Sequence, residues 1–200
     1  FATQLASFQA AREGDKVGDL FQMTSIKFFI DGVIEGATAY LNEPYAAEAQ
    51  KGENYRSEPL WQQDALNQDF ADAEKAGFQI HVHAIGDAAV HEALDALAFA
   101  QDKNGTADYR NAITHLQLVE DSDYARFKEL GVIAIPNPYW AEKDDYYYDL
   151  QLPFLGQERA EKEYPIQSFL TNGATIVSAS DYPVTVPPDP LMAIELGVTR

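Results

Sequence analysis

The chain of 200 residues is 46% hydrophobic and 12% aromatic, which provides for one buried core and argues against a disordered chain. Its 32 acidic and 14 basic residues leave a formal net charge of -18, which repels phosphate backbones and anionic lipids; no nucleic-acid or membrane partner is expected, and a solvated acidic surface accounts for the charge. With no Cys, disulfides and thiolate metal sites are excluded, and any metal must be held by His, Asp, Glu or a modified Lys.

The chain opens on Phe1 without a signal-like segment, and it has no apolar run of about 18 residues that would span a membrane. Helix-like sequence runs to both ends, as in a piece cut from a longer protein, from which any localisation signal is then lost; the lack of Cys slightly favours the cytoplasm. Short apolar or β-branched runs at Ser25 to Ile30, Gln79 to Ala84, Ala112 to His115, Val132 to Ile135 and Thr175 to Ser178 read as buried parallel strands. After the first, Gly32 to Pro59 reads as a long loop, and Leu66, Phe70 and Ala73 then share one helical face before Gly77. Val90, Leu94 and Leu97 do the same after a cap at Asp87. A third helix is expected after a cap at Asp121, with Tyr124, Phe127 and Leu130 inward and Gly131 as its stop. The Tyr-rich stretch Pro136 to Gly156 reads as a second long loop. A fourth helix is expected from Pro165, with Ile166, Phe169 and Leu170 inward, up to Gly173.

Strands alternating with helices demand a parallel sheet with right-handed crossovers, either open or closed. Five strands fall short of an eight-stranded barrel, which takes about 250 residues, so a barrel would have its first strands upstream of Phe1. Loops that follow strands build the active-site face of such a barrel. No repeat, low-complexity tract or linker divides the sequence, and residues 1–200 are taken as one domain.

Lys27, His83, His115 and Asp181 stand at strand ends, where a purely structural core would place apolar residues. Alternation along Gln-Ile-His-Val-His puts His81 and His83 on one face, either of them placed to point inward. Side chains at the C-terminal ends of barrel strands converge over the axis. Two neutral imidazoles and a carboxylate suit Zn2+ or a similar divalent ion with a position left for water, whose pKa the ion lowers toward about 7. Asp181 then serves as ligand, as general base, or as both. Each residue also has a plainer reading. A single His at a strand end is more often a hydrogen-bonded structural residue than a ligand. Asp181 before Tyr-Pro suits a turn cap, Lys27 suits an edge charge that blunts a strand, and His91 inside a helical pattern reads as surface. His81 reads as a substrate or supporting contact rather than a ligand.

Four segments in order resemble the motifs of the amidohydrolase family 3 group, which includes N-substituted formamide deformylases and many metal-dependent hydrolases. They are Ile26 to Gly32 with Glu43-Pro44-Tyr45, then His83-Ala84-Ile85-Gly86-Asp87, then Thr114-His115-Leu116-Gln117, and last Ser180 to Val184 with Asp189-Pro190. Together they span nearly the whole chain. The resemblance implies an α/β fold that is a partial (β/α)8 TIM barrel, roughly strands four to eight. In it His83 ends the fifth strand, His115 the sixth and Asp181 the eighth, all serving a metal site. It also implies Lys27 at the end of the fourth strand, where many superfamily members carry a carboxylated lysine that bridges two metals. The family's His-x-His pair of the first strand is missing before Lys27, and His81-Val82-His83 belongs to the fifth-strand motif. The chain alone is therefore expected to hold an incomplete metal site and to be inactive by itself.

Residues and resemblance together predict a metal-dependent hydrolase that cleaves a non-peptide C–N bond in amides, formamides or cyclic amides of a small-molecule substrate. One or two divalent ions are expected, Zn2+ first among them, with Asp181 as the proton shuttle. His81, Tyr139 and Trp140 are candidate substrate contacts, although Tyr139, Trp140 and the Tyr146 to Tyr148 run read equally well as packing between loops or subunits. A catalytically inactive barrel with a binding or regulatory role is the alternative, and a homo-oligomer is left open. A doubly wound, non-metal α/β domain would carry a Gly-rich phosphate turn after an early strand, and none is present.

Overall fold

The computed structural model describes residues 1–14 and 20–199. After helix α1 (Ala2–Gly14), strand β1 (Ser25–Phe29), helix α2 (Gln63–Lys75), strand β2 (Gln79–Ala84), helix α3 (Asp87–Asn104), strand β3 (Ala112–His115), helix α4 (Tyr124–Glu129) and strand β4 (Ile133–Pro136) alternate. The short helices α5 (Leu152–Leu155), α6 (Gln157–Ala160) and α7 (Ile166–Thr171) lead to strand β5 (Thr175–Ile176) and helix α8 (Pro190–Thr199). The strands form one parallel sheet in sequential order, β1 to β5, as successive strand-helix-strand crossovers of one hand produce.

One face of this sheet is covered and the other is largely bare, although Ala112, Thr114 and His83 on it are buried. Ile26 and Phe28 of β1, Ile80 and Val82 of β2, Ile113 of β3 and Ala134 of β4 are buried beneath the helices. There they meet Leu66 and Phe70 of α2, Leu94 and Leu97 of α3, Phe127 of α4 and Phe169 of α7. Phe28 and Phe70 meet edge-on at 4.8 Å, and Phe127 and Phe169 at 4.9 Å. The alternate residues Lys27, Phe29 and Thr175 are exposed, and His81, Ile133 and Ile135 half-buried. That bare face is the one a closed barrel turns toward its axis. No helix among the described residues is long and apolar enough to cross a membrane.

Several local expectations need correction. The residue before α3 is Gly86 rather than Asp87; Asp87 accepts the Asn42 amide at 2.9 Å and so holds the preceding loop. The residue before α4 is Asp123 rather than Asp121, and its carboxylate is occupied by His91 and Arg126. Leu170 is 56% exposed, because Phe169 takes the buried position between Tyr124 and Phe127. Leu130 is only half-buried. The Tyr-rich stretch is not a plain loop: it carries a 3-10 turn at Pro138–Ala141, a π-helical turn at Tyr147–Gln151 and α5. With the Gly32 to Pro59 segment it builds a second core at the C-terminal strand ends, in which Ile34, Leu41, Tyr45, Ile85, Tyr147 and Leu155 are buried together.

Glu92 on α3 has an Oε2 that is buried without a hydrogen-bond partner among the described residues. Burial, then the charge of Asp95, pushes its pKa up to about 7 from 4.5. A raised folded-state pKa means that the neutral acid is favoured in the native state. The associated stability is present below pH about 4.5 and lost as the pH rises through about 7. Glu92→Gln is thus expected to be neutral near pH 4.5 and to stabilise the protein by about 1 kcal/mol at pH 8, after allowance for partial solvation. Urea unfolding across that range tests it, and a pH-independent difference between the two proteins would contradict it.

Candidate metal centre

His83 and His115 lie at the C-terminal ends of adjacent strands, 7% and 3% exposed, with ring centroids 4.5 Å apart. Their meeting is not what strand alternation dictates. His83 pairs with Thr114 and His115 with Ala84, so a regular β3 would turn His115 to the opposite face. Backbone φ values of 77° at His115 and 55° at Leu116 leave the strand region and bring the ring back over the C-terminal end. Such conformations cost on the order of 1–3 kcal/mol each and concentrate at functional sites.

Hydrogen bonds fix the tautomer of both rings. His83 Nε2 stands 3.0 Å from the Gly32 carbonyl, an acceptor only, so Nε2 carries the proton and Nδ1 the lone pair. His115 Nδ1 stands 2.9 Å from Asn137 Oδ1, and Asn137 Nδ2 donates to the Ala179 carbonyl at 3.1 Å, which keeps the amide oxygen toward the ring. His115 Nδ1 therefore donates, and its Nε2 holds the lone pair. Burial lowers the pKa of both groups, and His83 adds to the effect on His115, which is held down to about 4. Two neutral imidazoles, each with one nitrogen tied to a carbonyl and the other free, are prepared as metal ligands are.

Both line a cavity of about 460 Å³ that Lys27, Tyr139, Trp140 and Asp181 also line. Asp181 is not at a strand end: it comes five positions after β5, beyond a stretch in which Val177 and Ala179 donate to Ala134 and Pro136 carbonyls of β4. It is half-buried with φ 55°, and its charge acts on His81, His83 and His115. Lys27 is the middle residue of β1, exposed, its ammonium 4.9 Å from the Phe29 ring. His81 is its cross-strand partner, is half-buried, and is not among the residues lining this cavity. Trp140 stacks on His115 at 5.3 Å and donates Nε1 to Thr185 Oγ1. The Tyr139 hydroxyl donates to the Asp189 carbonyl, so this turn ties the segment that bears Asp181 to the end of β4.

These side chains fit two imidazole positions of a divalent-metal site. They do not complete it: among the described residues no group of three or more His, Cys, Asp or Glu stands close enough together to hold an ion. Asn137 was absent from the sequence-based set, although it carries the same signal as His115, a polar residue directly after an apolar strand. Asn137→Leu is expected to weaken divalent-metal affinity of the intact protein roughly 10- to 100-fold, read by competition with a chromogenic chelator. Unchanged affinity would show that Asn137 does not set the His115 ligand.

A parallel strand-helix sheet with paired imidazoles over a cavity at its C-terminal end has the architecture of a five-stranded part of a (β/α)8 barrel. The chain belongs to the amidohydrolase family, whose profile matches residues 3–200. It is 32% identical over 190 residues to Protein LONG AFTER FAR-RED 3 of Arabidopsis thaliana, covering 94% of this chain and 31% of that protein. It is 30% identical over 177 residues to the exoenzymes regulatory protein AepA of Pectobacterium carotovorum subsp. carotovorum, covering 88% of this chain and 36% of that protein. The crystal structure of a metal-dependent hydrolase from Pyrococcus furiosus superimposes with a TM-score of 0.78 at 28% identity, covering 98% of this chain and 39% of that one. The chain thus spans about a third of the length of these curated relatives.

Proposed function

We propose that the intact protein is a metal-dependent hydrolase of non-peptide C–N bonds, with N-formyl and N-acyl amines as its substrates, and that residues 1–200 are one domain contributing strands four to eight of its barrel. The observation that carries this reading is the His83–His115 pair, each ring locked by a carbonyl with its free nitrogen a lone pair. His83 and His115 are the proposed ligands, with Asp181 and, once carboxylated, Lys27 as further donors and the remainder supplied by residues outside this chain. A divalent ion held there, Zn2+ foremost, would supply a water of pKa about 7 and a Lewis acid for a carbonyl. Asp181 takes the proton of the attacking water and passes it to the leaving nitrogen, so that water adds across the C–N bond to give an acid and an amine. Trp140, held by Thr185 and stacked on His115, walls the reacting end of the cavity.

The intact protein should contain one or two divalent ions per subunit and lose turnover of simple N-formyl and N-acyl amides on chelation, with recovery on adding Zn2+. Asp181→Asn should abolish most of that turnover, and residues 1–200 alone should show none. The likeness to a protein named as a regulator favours one second reading, a barrel that binds or regulates without catalysis. Intact protein that folds but holds no metal and cleaves no amide would decide for it.

A further inference from the structure

The cavity has a second pole. Glu35, Glu142 and Asp144 line it together with Tyr139 and Tyr146, whereas Lys27 is its one lining lysine or arginine among the described residues. At the imidazole end the charges of Lys27 and Asp181 act on His83 and His115, while Glu35, Glu142 and Asp144 are the three other carboxylates that line the cavity. Two of them flank the Tyr146 hydroxyl: it donates to Glu35, and the charges of Glu35 and Asp144 add to burial in raising its pKa. The neighbouring cation, Lys143, is engaged elsewhere, paired with Glu161 and lying over the Tyr147 ring.

Gln151 gives an independent sign of a ligand. It lines the same cavity, is 4% exposed, and its Oε1 is buried without a hydrogen-bond partner among the described residues. A buried amide oxygen left without a donor is costly, and such groups in native structures call for a partner. An N–H group on a ligand would satisfy it. Carboxylates, an amide oxygen and aromatic rings together favour a cation that carries N–H donors, and they repel an anion of the same size.

We infer that this pole recognises a protonated amine, so that the preferred substrate is an amide whose remote end carries an ammonium group, a mono-acylated diamine in its simplest form. The inference rests on the amide-hydrolase reading for its acyl end and on Gln151 and the three carboxylates for its amine end.

Calorimetric binding to the intact protein separates the two. The probes are N-acetyl-1,4-diaminobutane, its neutral counterparts N-(4-hydroxybutyl)acetamide and N-pentylacetamide, and the anion N-acetyl-5-aminopentanoate, all with the same acyl group. The diamine derivative should bind at least about tenfold more tightly than either neutral amide and the anion most weakly, with a preference that shrinks as salt rises. Glu142→Gln, at an exposed position that leaves the fold intact, and Glu35→Gln should each reduce that preference while leaving the neutral amides unchanged; Gln151→Leu should weaken the diamine derivative specifically. Equal affinity of the charged and neutral probes within twofold, or a preference untouched in all three variants, overturns the inference. Turnover of the same compounds reports separately on the hydrolase reading: cleavage of all without charge preference defeats only the amine pole, and charge-selective binding without any cleavage defeats only the hydrolase.

Discussion

Asp31→Ala is expected to destabilise the protein by about 3 kcal/mol or more, since it leaves three backbone N–H groups, two of them fully buried, without an acceptor. Asp31 is 2% exposed and lies just beyond β1. Its Oδ1 accepts the Ile85 amide at 3.0 Å, and its Oδ2 accepts the amides of Gly86 at 2.8 Å and Tyr40 at 2.9 Å. One carboxylate thereby joins the segments that follow β1 and β2. The approach it enforces is close: a Cβ on Gly86 would come within 1.9 Å of the Tyr40 carbonyl oxygen, so only glycine fits there. Burial pushes the Asp31 pKa up to about 7 even though the three N–H donors pull it down. Asp31→Asn separates charge from geometry. Its NH2 group must replace an oxygen that now faces an N–H donor, so the amide should be nearly as destabilising as Ala. Wild-type stability of Asp31→Asn in urea, with an unchanged slope, would show that the clasp does not need two acceptor oxygens.

The strand-helix order was legible because buried parallel strands read as short apolar runs and their crossover helices as 3.6-residue stripes, and Ile80, Val82, Phe70 and Leu94 all sit where those patterns put them. His83 was legible for the same reason, as a polar residue closing an apolar strand. That His83 and His115 would meet was expected from their strand ends and from the family resemblance, but the backbone turn that brings them together was not. Alternation in register sends His115 to the wrong face, and only its left-handed φ reverses that, a property no local pattern announces for a histidine. Asp31 escaped notice because its role depends on amides 9 and 55 positions away. The helical turns within the Tyr-rich stretch were obscured by Pro138 and Pro153, which sit at helix starts, where proline is tolerated. Asp181 was placed at a strand end because Thr175 to Ser178 reads as a longer strand than the two residues that pair as β5.

His115→Phe should strip the intact protein of divalent metal and reduce amide turnover by more than about 100-fold, because loss of a supporting partner alone costs 10- to 100-fold and this change removes a proposed ligand itself. Phenylalanine keeps a flat ring for the Trp140 stack at 5.3 Å and for the edge contact with His83 at 4.5 Å, so packing is largely preserved. The Asn137 oxygen loses its donor, which costs about 1–3 kcal/mol of stability whether or not a metal binds. Two readouts therefore part company. If His115 is a packing residue, stability falls and metal content does not. If it is a ligand, metal per subunit and turnover fall together, and His83→Phe reproduces the loss from the other strand. Full metal content and full turnover in both variants would remove the pair from the site and leave Asp181 and Lys27 without a centre to serve.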